Sequence, residues 1–374
     1  MKRISMIILV FIGLMMSSFQ PVVKKESVTS IINEFEDQLT KDITVDDIHG
    51  SISAAIVFEN EIIWSKAFGI SNLNTNTISD KSTIYRTGSI SKSFTAFLMM
   101  LLVQEGIINL DDPIENYFEE IKNSNGYSEA TKITFRQLAS HTSGLVREPT
   151  LKNAASGIIE EWDDKVVQSI PYTFFESKPG ERYSYSNIGY GILGVALSRA
   201  ADTPFIKLVE NKIFKPLQMT NSFFIVPDRK TEHLAIGMSG GPLEGIDFEK
   251  PKKEHAGRGY KVPNGGIYST PNDLGKFMIC TMGYSALLDQ NRLKEMRVNH
   301  NPDEELRKYG LGFFLYQDSI LSTVGHGGYV SGYTAHFEFD NESKYGVILM
   351  RNYNRGSTNL STRSKAVLRK LKTL

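Results

Sequence analysis

The stretch Ser89-Ile90-Ser91-Lys92 runs straight into SFTAFLMMLLVQ, an apolar sequence that continues to Gln104 and stops at Gly106. The run predicts a helix, with no Pro or Gly inside it and a glycine just past its end. Its core, Phe94 to Val103, is ten residues long. A bilayer-spanning helix needs about 20, so this one belongs in a protein core. Ser89 and Lys92 stand three residues apart at its start, which puts both side chains on one helix face. A serine hydroxyl is a weak nucleophile and needs an adjacent base. Lysine is a base only when neutral. Its free pKa is about 10.4, so work near pH 7 needs a drop of roughly three units, or about 4 kcal/mol of desolvation and neighbouring positive charge. The apolar helix offers the desolvation, and the free N–H groups at a helix start favour anionic chemistry there. The plain structural alternative is an N-capping serine followed by a surface lysine.

Outward from this helix the patterns change period. Ser27 to Leu39 reads as an amphipathic helix with Ile31, Ile32, Phe35 and Leu39 on one side. Ser53 to Phe58 and Ile62 to Phe68 are β-rich runs joined at Glu59-Asn60, a hairpin. Residues 107–260 are mostly helical patterns, including Thr134 to Ser140, Asn187 to Ala200 and Phe205 to Ile213. Thr270-Pro271 reads as an N-cap followed by Pro at the first helical position. Three strands follow, Gly312 to Tyr316, Tyr333 to Phe339 and Tyr345 to Met350, and then a basic helix from about Thr358 to Leu371. Strands at both ends of a chain can share one sheet. The expected class is therefore α+β: an antiparallel sheet flanked by terminal helices, with an inserted, mostly α-helical subdomain. The sheet part is expected over about 21–85 and 262–374, the helical part over about 86–261, together one catalytic domain over 21–374.

Two further elements carry chemistry. Tyr185-Ser186-Asn187 follows Pro179-Gly180. A tyrosine near a serine and a lysine can relay a proton to a leaving group, and the asparagine can hold a substrate carbonyl and contact the lysine. The alternative is a turn and an Asn-capped helix beginning at Ile188. Gly325-His326-Gly327-Gly328 opens a β-rich stretch. Paired glycines let a ligand approach the backbone closely, and the alternative is a tight turn between strands.

In this order, S-x-x-K, Y-x-N and H-x-G, the three elements resemble the serine β-lactamase and penicillin-binding protein superfamily, in its class C-like branch. Leu110-Asp111-Asp112-Pro113, the stretch Leu138 to Leu145 (LASHTSGL) and Pro216-Leu217-Gln218-Met219-Thr220 resemble that branch's recurring segments, so the likeness covers roughly residues 27–371. The resemblance implies a β-lactamase/transpeptidase-like fold and a serine hydrolase that works through an acyl-enzyme without metal or cofactor. It makes Ser89 the acylated nucleophile and gives Lys92 and Tyr185 the general base and acid work. Asn187, His326 and Gly328 would bind substrate, and the backbone N–H groups of Ser89 and Tyr329 would form the oxyanion hole, each donor worth about 3 kcal/mol in acyl transfer.

Where many relatives have K-T-G this chain has His326 and Gly327. An imidazole is mostly neutral near pH 7 and glycine has no hydroxyl, so weaker carboxylate recognition is expected. D-alanyl peptides of the cell-wall type are the first expectation for substrate. The alternatives are a class C-like β-lactamase or a carboxylesterase and, from another class, a non-catalytic wall-binding protein that keeps the fold.

Composition narrows the rest. The chain has 374 residues, 41% hydrophobic and 22% charged, with 42 basic and 42 acidic side chains. A zero net charge argues against nucleic acid as partner. A single cysteine, Cys280, rules out an intrachain disulfide and reads as a core residue. Lys2 and Arg3 before the 13-residue apolar run Ile4–Met16, then Ser17 and Ser18, read as a secretory signal over 1–20. An extracytoplasmic location is expected, with a membrane anchor if the signal stays uncleaved. Gly237-Met238-Ser239-Gly240-Gly241 matches G-x-S-x-G, but the glycines and Pro242 that follow do not open the helix such a motif requires. His141 with Ser143 reads as a helix-ending turn. Arg363, Lys365, Arg369, Lys370 and Lys372 read as a solvated helix face, with peripheral contact to anionic lipid as the alternative.

Overall fold

A computed structural model describes residues 27–240, 245–302 and 308–374. The signal segment and Gly241 of the G-x-S-x-G match lie outside the described residues. The chain begins with α1 (residues 27–46) and the hairpin β1 (Ser51–Phe58) and β2 (Glu61–Asn72). Two short strands follow, β3 (Thr77–Ile78) and β4 (Tyr85–Arg86), then a 3-10 turn over Gly88–Ile90 and α2 (Ser91–Gln104). The helical block holds α3 (Phe135–Ala139), α4 (Trp162–Ser169), α5 (Asn187–Ala200), α6 (Phe205–Val209), α7 (Glu249–Lys253) and α8 (Val262–Gly265). The chain returns through β5 (Tyr268–Ser269), α9 (Pro271–Met282) and α10 (Gln290–Glu295). It ends in β6 (Phe314–Gln317), β7 (Ser322–Val330), β8 (Tyr333–Asp340), β9 (Tyr345–Arg351) and α11 (Leu360–Lys372).

The strands from both ends form one antiparallel sheet, ordered β3-β2-β1-β9-β8-β7-β6, and β4 and β5 make a separate pair. The centre of the sheet is dictated by composition: β1 (SISAAIVF) and β9 (YGVILMR) are apolar on both faces and almost wholly buried. Because side chains alternate along a strand, each strand feeds two cores. Ala55, Val57, Ile348 and Met350 pack with α2, α5 and α9 on one face. Ile52, Ala54, Ile56, Val347 and Leu349 pack with Phe35 and Leu39 of α1 and Leu368 and Leu371 of α11 on the other.

One expectation needs correction, and two segments are placed in more detail. The carboxyl-terminal region has four strands, not three. The Gly325–Gly328 segment lies in the middle of β7, paired to Ala335–Glu338 of β8, and is not a turn. The basic face of α11 is engaged by carboxylates: Arg363 with Asp42 (2.7 Å), Lys365 with Glu338 (3.0 Å), Lys372 with Asp340 (3.2 Å), Arg369 with Asp318 and Lys370 with Glu34. Among the described residues, no helix is long and apolar enough to cross a membrane.

One buried polar node ties the end of α1 to the end of β9 and the chain that follows it. Asp46 accepts from the Tyr353 hydroxyl (2.9 Å) and the Thr358 amide (2.9 Å), and lies 3.4 Å from Arg351. Asp46→Ala would leave a buried guanidinium without its carboxylate, which costs about 3–5 kcal/mol. A drop in the urea midpoint is the expected result, and a change under about 1 kcal/mol would show the node to be dispensable.

Candidate active site

The 3-10 turn places Ser89 at the mouth of a cleft of about 480 Å³, lined by Arg147, Tyr185, Phe314, His326 and Gly328 among others. Neither the turn nor α2 has a side-chain cap, so Ser89 is not an N-capping serine. Nor is Lys92 a surface lysine, since it is 0% exposed. Its amine lies 3.2 Å from Ser89 Oγ, 2.8 Å from Asn187 Oδ1 and 3.1 Å from the Asn264 carbonyl. Burial, reinforced by the positive charge of Arg147, holds Lys92 well below its ordinary pKa. Glu148 pulls it back up, and Lys261 and Arg258 push it down further. A neutral amine has two N–H groups and one lone pair. Two of its three neighbours are carbonyl oxygens, which only accept, so they take both N–H groups. The lone pair is left for the Ser89 hydroxyl.

Asn187 comes to Lys92 because α5 runs over Asn187–Ala200 as expected and Ser186, not Asn187, caps it. Ser186 Oγ accepts from the Gly189 amide (3.0 Å) and donates to the Val146 carbonyl (2.8 Å). Asn187 is therefore the first helical residue, 7% exposed, with its side chain free to face Lys92. Tyr185 lies just before the cap, with the Lys92 amine 4.7 Å over its ring centroid and the Arg147 guanidinium 4.9 Å from it. Burial raises the Tyr185 pKa, against the lowering effect of the Ser89 hydroxyl, so the phenol keeps its proton. The His141 ring lies tilted at 4.1 Å from the Tyr185 ring and accepts the Ser186 amide on Nδ1 (3.1 Å). The turn after α3 thus holds the tyrosine without supplying a catalytic pair.

Strand β7 closes the site from the other side. The Gly328 backbone packs onto the Ser89 turn so closely that a Cβ there would lie 1.8 Å from the Thr87 carbonyl oxygen and 3.2 Å from the Ser89 amide nitrogen. A Cβ on Gly88 would lie 2.8 Å from the Tyr329 amide nitrogen. The Ser89 turn and the Gly328–Tyr329 backbone of β7 therefore lie directly against each other beside the serine. The Tyr329 side chain is 67% exposed and stands away from it. His326 lines the cleft, where contact with substrate is expected. Its Nδ1 lies 2.6 Å from the Gly327 carbonyl, which can only accept, so Nδ1 carries the proton and Nε2 accepts from the Tyr309 hydroxyl (3.0 Å). Burial and the nearby Lys92 push its pKa down to about 3. It presents an uncharged ring to the cleft.

Sequence reasoning missed Asn264, Glu148 and Tyr260. Asn264 acts through a backbone carbonyl, and its Nδ2 donates to the Asn187 carbonyl (2.9 Å). A carbonyl has no residue signature. Ser239 is not a nucleophile: Gly240 after it has φ +115°, and its hydroxyl donates to the Asp247 carbonyl (3.2 Å). Cys280 is buried in α9, which raises its thiol pKa to about 11.

The chain is 31% identical over 327 residues to Beta-lactamase-like protein 2 of Dictyostelium discoideum, covering 83% of this chain and 58% of that protein. It is 27% identical over 334 residues to Protein flp of Staphylococcus aureus (strain N315), covering 87% and 65%. It thus spans about three-fifths of the length of these curated relatives. Among solved structures, the octameric penicillin-binding protein homologue from Pyrococcus abyssi superposes with a TM-score of 0.75 at 25% identity, over 90% of this chain and 76% of that one. A family with this fold acts on small-molecule substrates and supports a serine hydrolase-like function. The Beta-lactamase family model matches residues 37–371, nearly the whole described chain, and the chain belongs to that family.

Proposed function

We propose that this chain is a serine hydrolase that cleaves D-alanyl peptides of the cell-wall type through an acyl-enzyme at Ser89. The observation that carries the reading is the bonding of the buried Lys92 amine, which is held by the Asn187 and Asn264 carbonyl oxygens and lies 3.2 Å from Ser89 Oγ, so that in its neutral form the lone pair is left for Ser89. The Ser89 proton passes to the Lys92 amine as Oγ bonds to the substrate carbonyl carbon. The negative charge on the former carbonyl oxygen falls between the Ser89 and Tyr329 amides. Tyr185 gives its proton to the leaving nitrogen as the amide bond breaks, and the Lys92 ammonium restores it. Water then attacks the ester and the same groups run in reverse.

Two features support the substrate class. One is the likeness to a penicillin-binding protein homologue. The other is Arg147, whose side chain is 63% exposed at the cleft and supplies positive charge that the neutral His326 does not. That neutrality also favours a second reading, hydrolysis of a neutral ester. The sequence-based expectation of export suits a wall substrate. A fluorophosphonate probe and a fluorescent penicillin should label the wild type and not Ser89→Ala. Absence of wild-type labelling by both would overturn the enzyme reading in favour of a binding protein. Turnover of nitrocefin, a D-Ala-D-Ala peptide and a p-nitrophenyl ester then separates the substrate classes.

A further inference from the structure

The Lys92–Asn187 pair does not end at Asn187. Asn187 Nδ2 donates to Glu148 Oε1 at 2.6 Å. The other oxygen of Glu148 accepts from the Tyr260 hydroxyl and lies 3.0 Å from the Lys261 amine. An asparagine amide can turn over and exchange its oxygen and nitrogen at little cost unless its partners differ. Here they differ at both ends: an acceptor-only carboxylate takes the NH2 group and the Lys92 amine takes the oxygen. We propose that Glu148 is a positioning residue for acylation, fixing the Asn187 amide so that its oxygen occupies one N–H of Lys92 and turns the Lys92 lone pair to Ser89. The proposal rests on the acyl-enzyme reading above.

Glu148 is itself held by the fold. It follows Arg147, whose carbonyl accepts the Asn187 amide at 2.8 Å, so the loop after α3 is tied to the first turn of α5. Tyr260 and Lys261 come from the 3-10 turn Gly259–Lys261 that precedes α8, the helix that carries Asn264. One carboxylate therefore joins the three segments that surround Lys92. A salt link that served only to close the loop would need no contact with Asn187 at all.

The charge of Glu148 gives a readout that a purely structural role would not move. The ionisable or charged groups around Lys92 are Arg147, Glu148, Lys261 and Arg258, with Tyr185, Tyr190, His141 and His326 against it. Glu148 favours the ammonium form of Lys92, and Lys261 disfavours it. Acylation needs the neutral form, so the acid limb of the rate follows Lys92. Glu148→Gln preserves shape and removes the charge, and should move the acid limb of fluorophosphonate labelling to lower pH by roughly half to one unit. Lys261→Met should move it the other way. Glu148→Ala removes the clamp as well, and should slow labelling at the plateau by roughly tenfold or more. Melting temperatures accompany each variant, and should Glu148→Gln fail to fold, the plateau rate of Glu148→Ala carries the test. A wild type that labels at Ser89 while these variants leave the limb and the plateau rate unmoved would overturn the role of Glu148 alone. A wild type that does not label would overturn the acyl-enzyme reading and this inference with it.

Discussion

Lys92→Met is expected to slow acylation of Ser89 by roughly 10³-fold, within the range that general base catalysis supplies, and to erase the acid limb of its pH profile. Methionine fills nearly the same volume and suits the apolar surroundings of α2, so the fold should survive. The variant also tests the charge state in a second way. A lysine whose folded pKa lies below its unfolded value of about 10.4 must release a proton on folding at any pH between the two. The unfolded chain binds more protons there, so wild-type stability rises with pH across that window. The penalty is largest below the folded pKa. Lys92→Met lacks this slope, and the difference in urea midpoint between variant and wild type should shift in the variant's favour as pH falls from 10 to 7. A parallel pH dependence in the two proteins would mean that Lys92 is charged in the native state, and the base assignment would fail with it.

Much of this site was legible because its chemistry is local. Ser89 and Lys92 are one helical turn apart, and the apolar sequence after them announces the burial that a neutral lysine requires. Tyr185 and Asn187 flank a cap, and caps have sequence signatures. The helix bounds held, and the Asn-capped alternative fails because Ser186 bonds to the Gly189 amide, which frees Asn187 for Lys92. What stayed hidden was long-range or backbone-borne. Glu148 meets Asn187 across 39 positions and Tyr260 across 112, and nothing local marks the carboxylate as part of the site.

Strand β7 was hidden for a different reason. Its middle, Gly325 to Gly328, has three glycines, and glycine weakens a strand. The sequence pattern therefore leaves a turn open as the alternative. The structure shows what the glycines are for. A Cβ on Gly325 would lie 2.3 Å from the Phe337 carbonyl oxygen, and one on Gly328 would meet the Ser89 turn. The propensity loss is the consequence of bringing a strand backbone against a nucleophile. The fold class survived the omission because the buried pair β1 and β9 already fixes the sheet from both ends of the chain.

Gly328→Ala is the sharpest test of that packing. The added carbon would lie 1.8 Å from the Thr87 carbonyl oxygen and 2.9 Å from its carbon, and both are backbone atoms that no rotamer change can move. Either β7 or the Gly88–Ile90 turn must shift by about an ångström, and a misplacement of that size costs on the order of 100-fold in rate. The Ser89 turn and the Gly328–Tyr329 backbone meet at this contact, so the shift widens the space proposed for the oxyanion. Labelling of Ser89 by fluorophosphonate should fall by roughly 100-fold or more, with an overpacking cost of about 1–3 kcal/mol in stability. Gly327→Ala is the matched comparison one residue away. Its Cβ would find nothing nearer than His336 Nδ1 at 3.6 Å, an ordinary contact, so labelling should fall by less than roughly tenfold. Equal losses in the two variants would mean that the glycines serve β7 itself and not its approach to Ser89. A Gly328→Ala protein that labels at the wild-type rate would remove β7 from the acylation geometry.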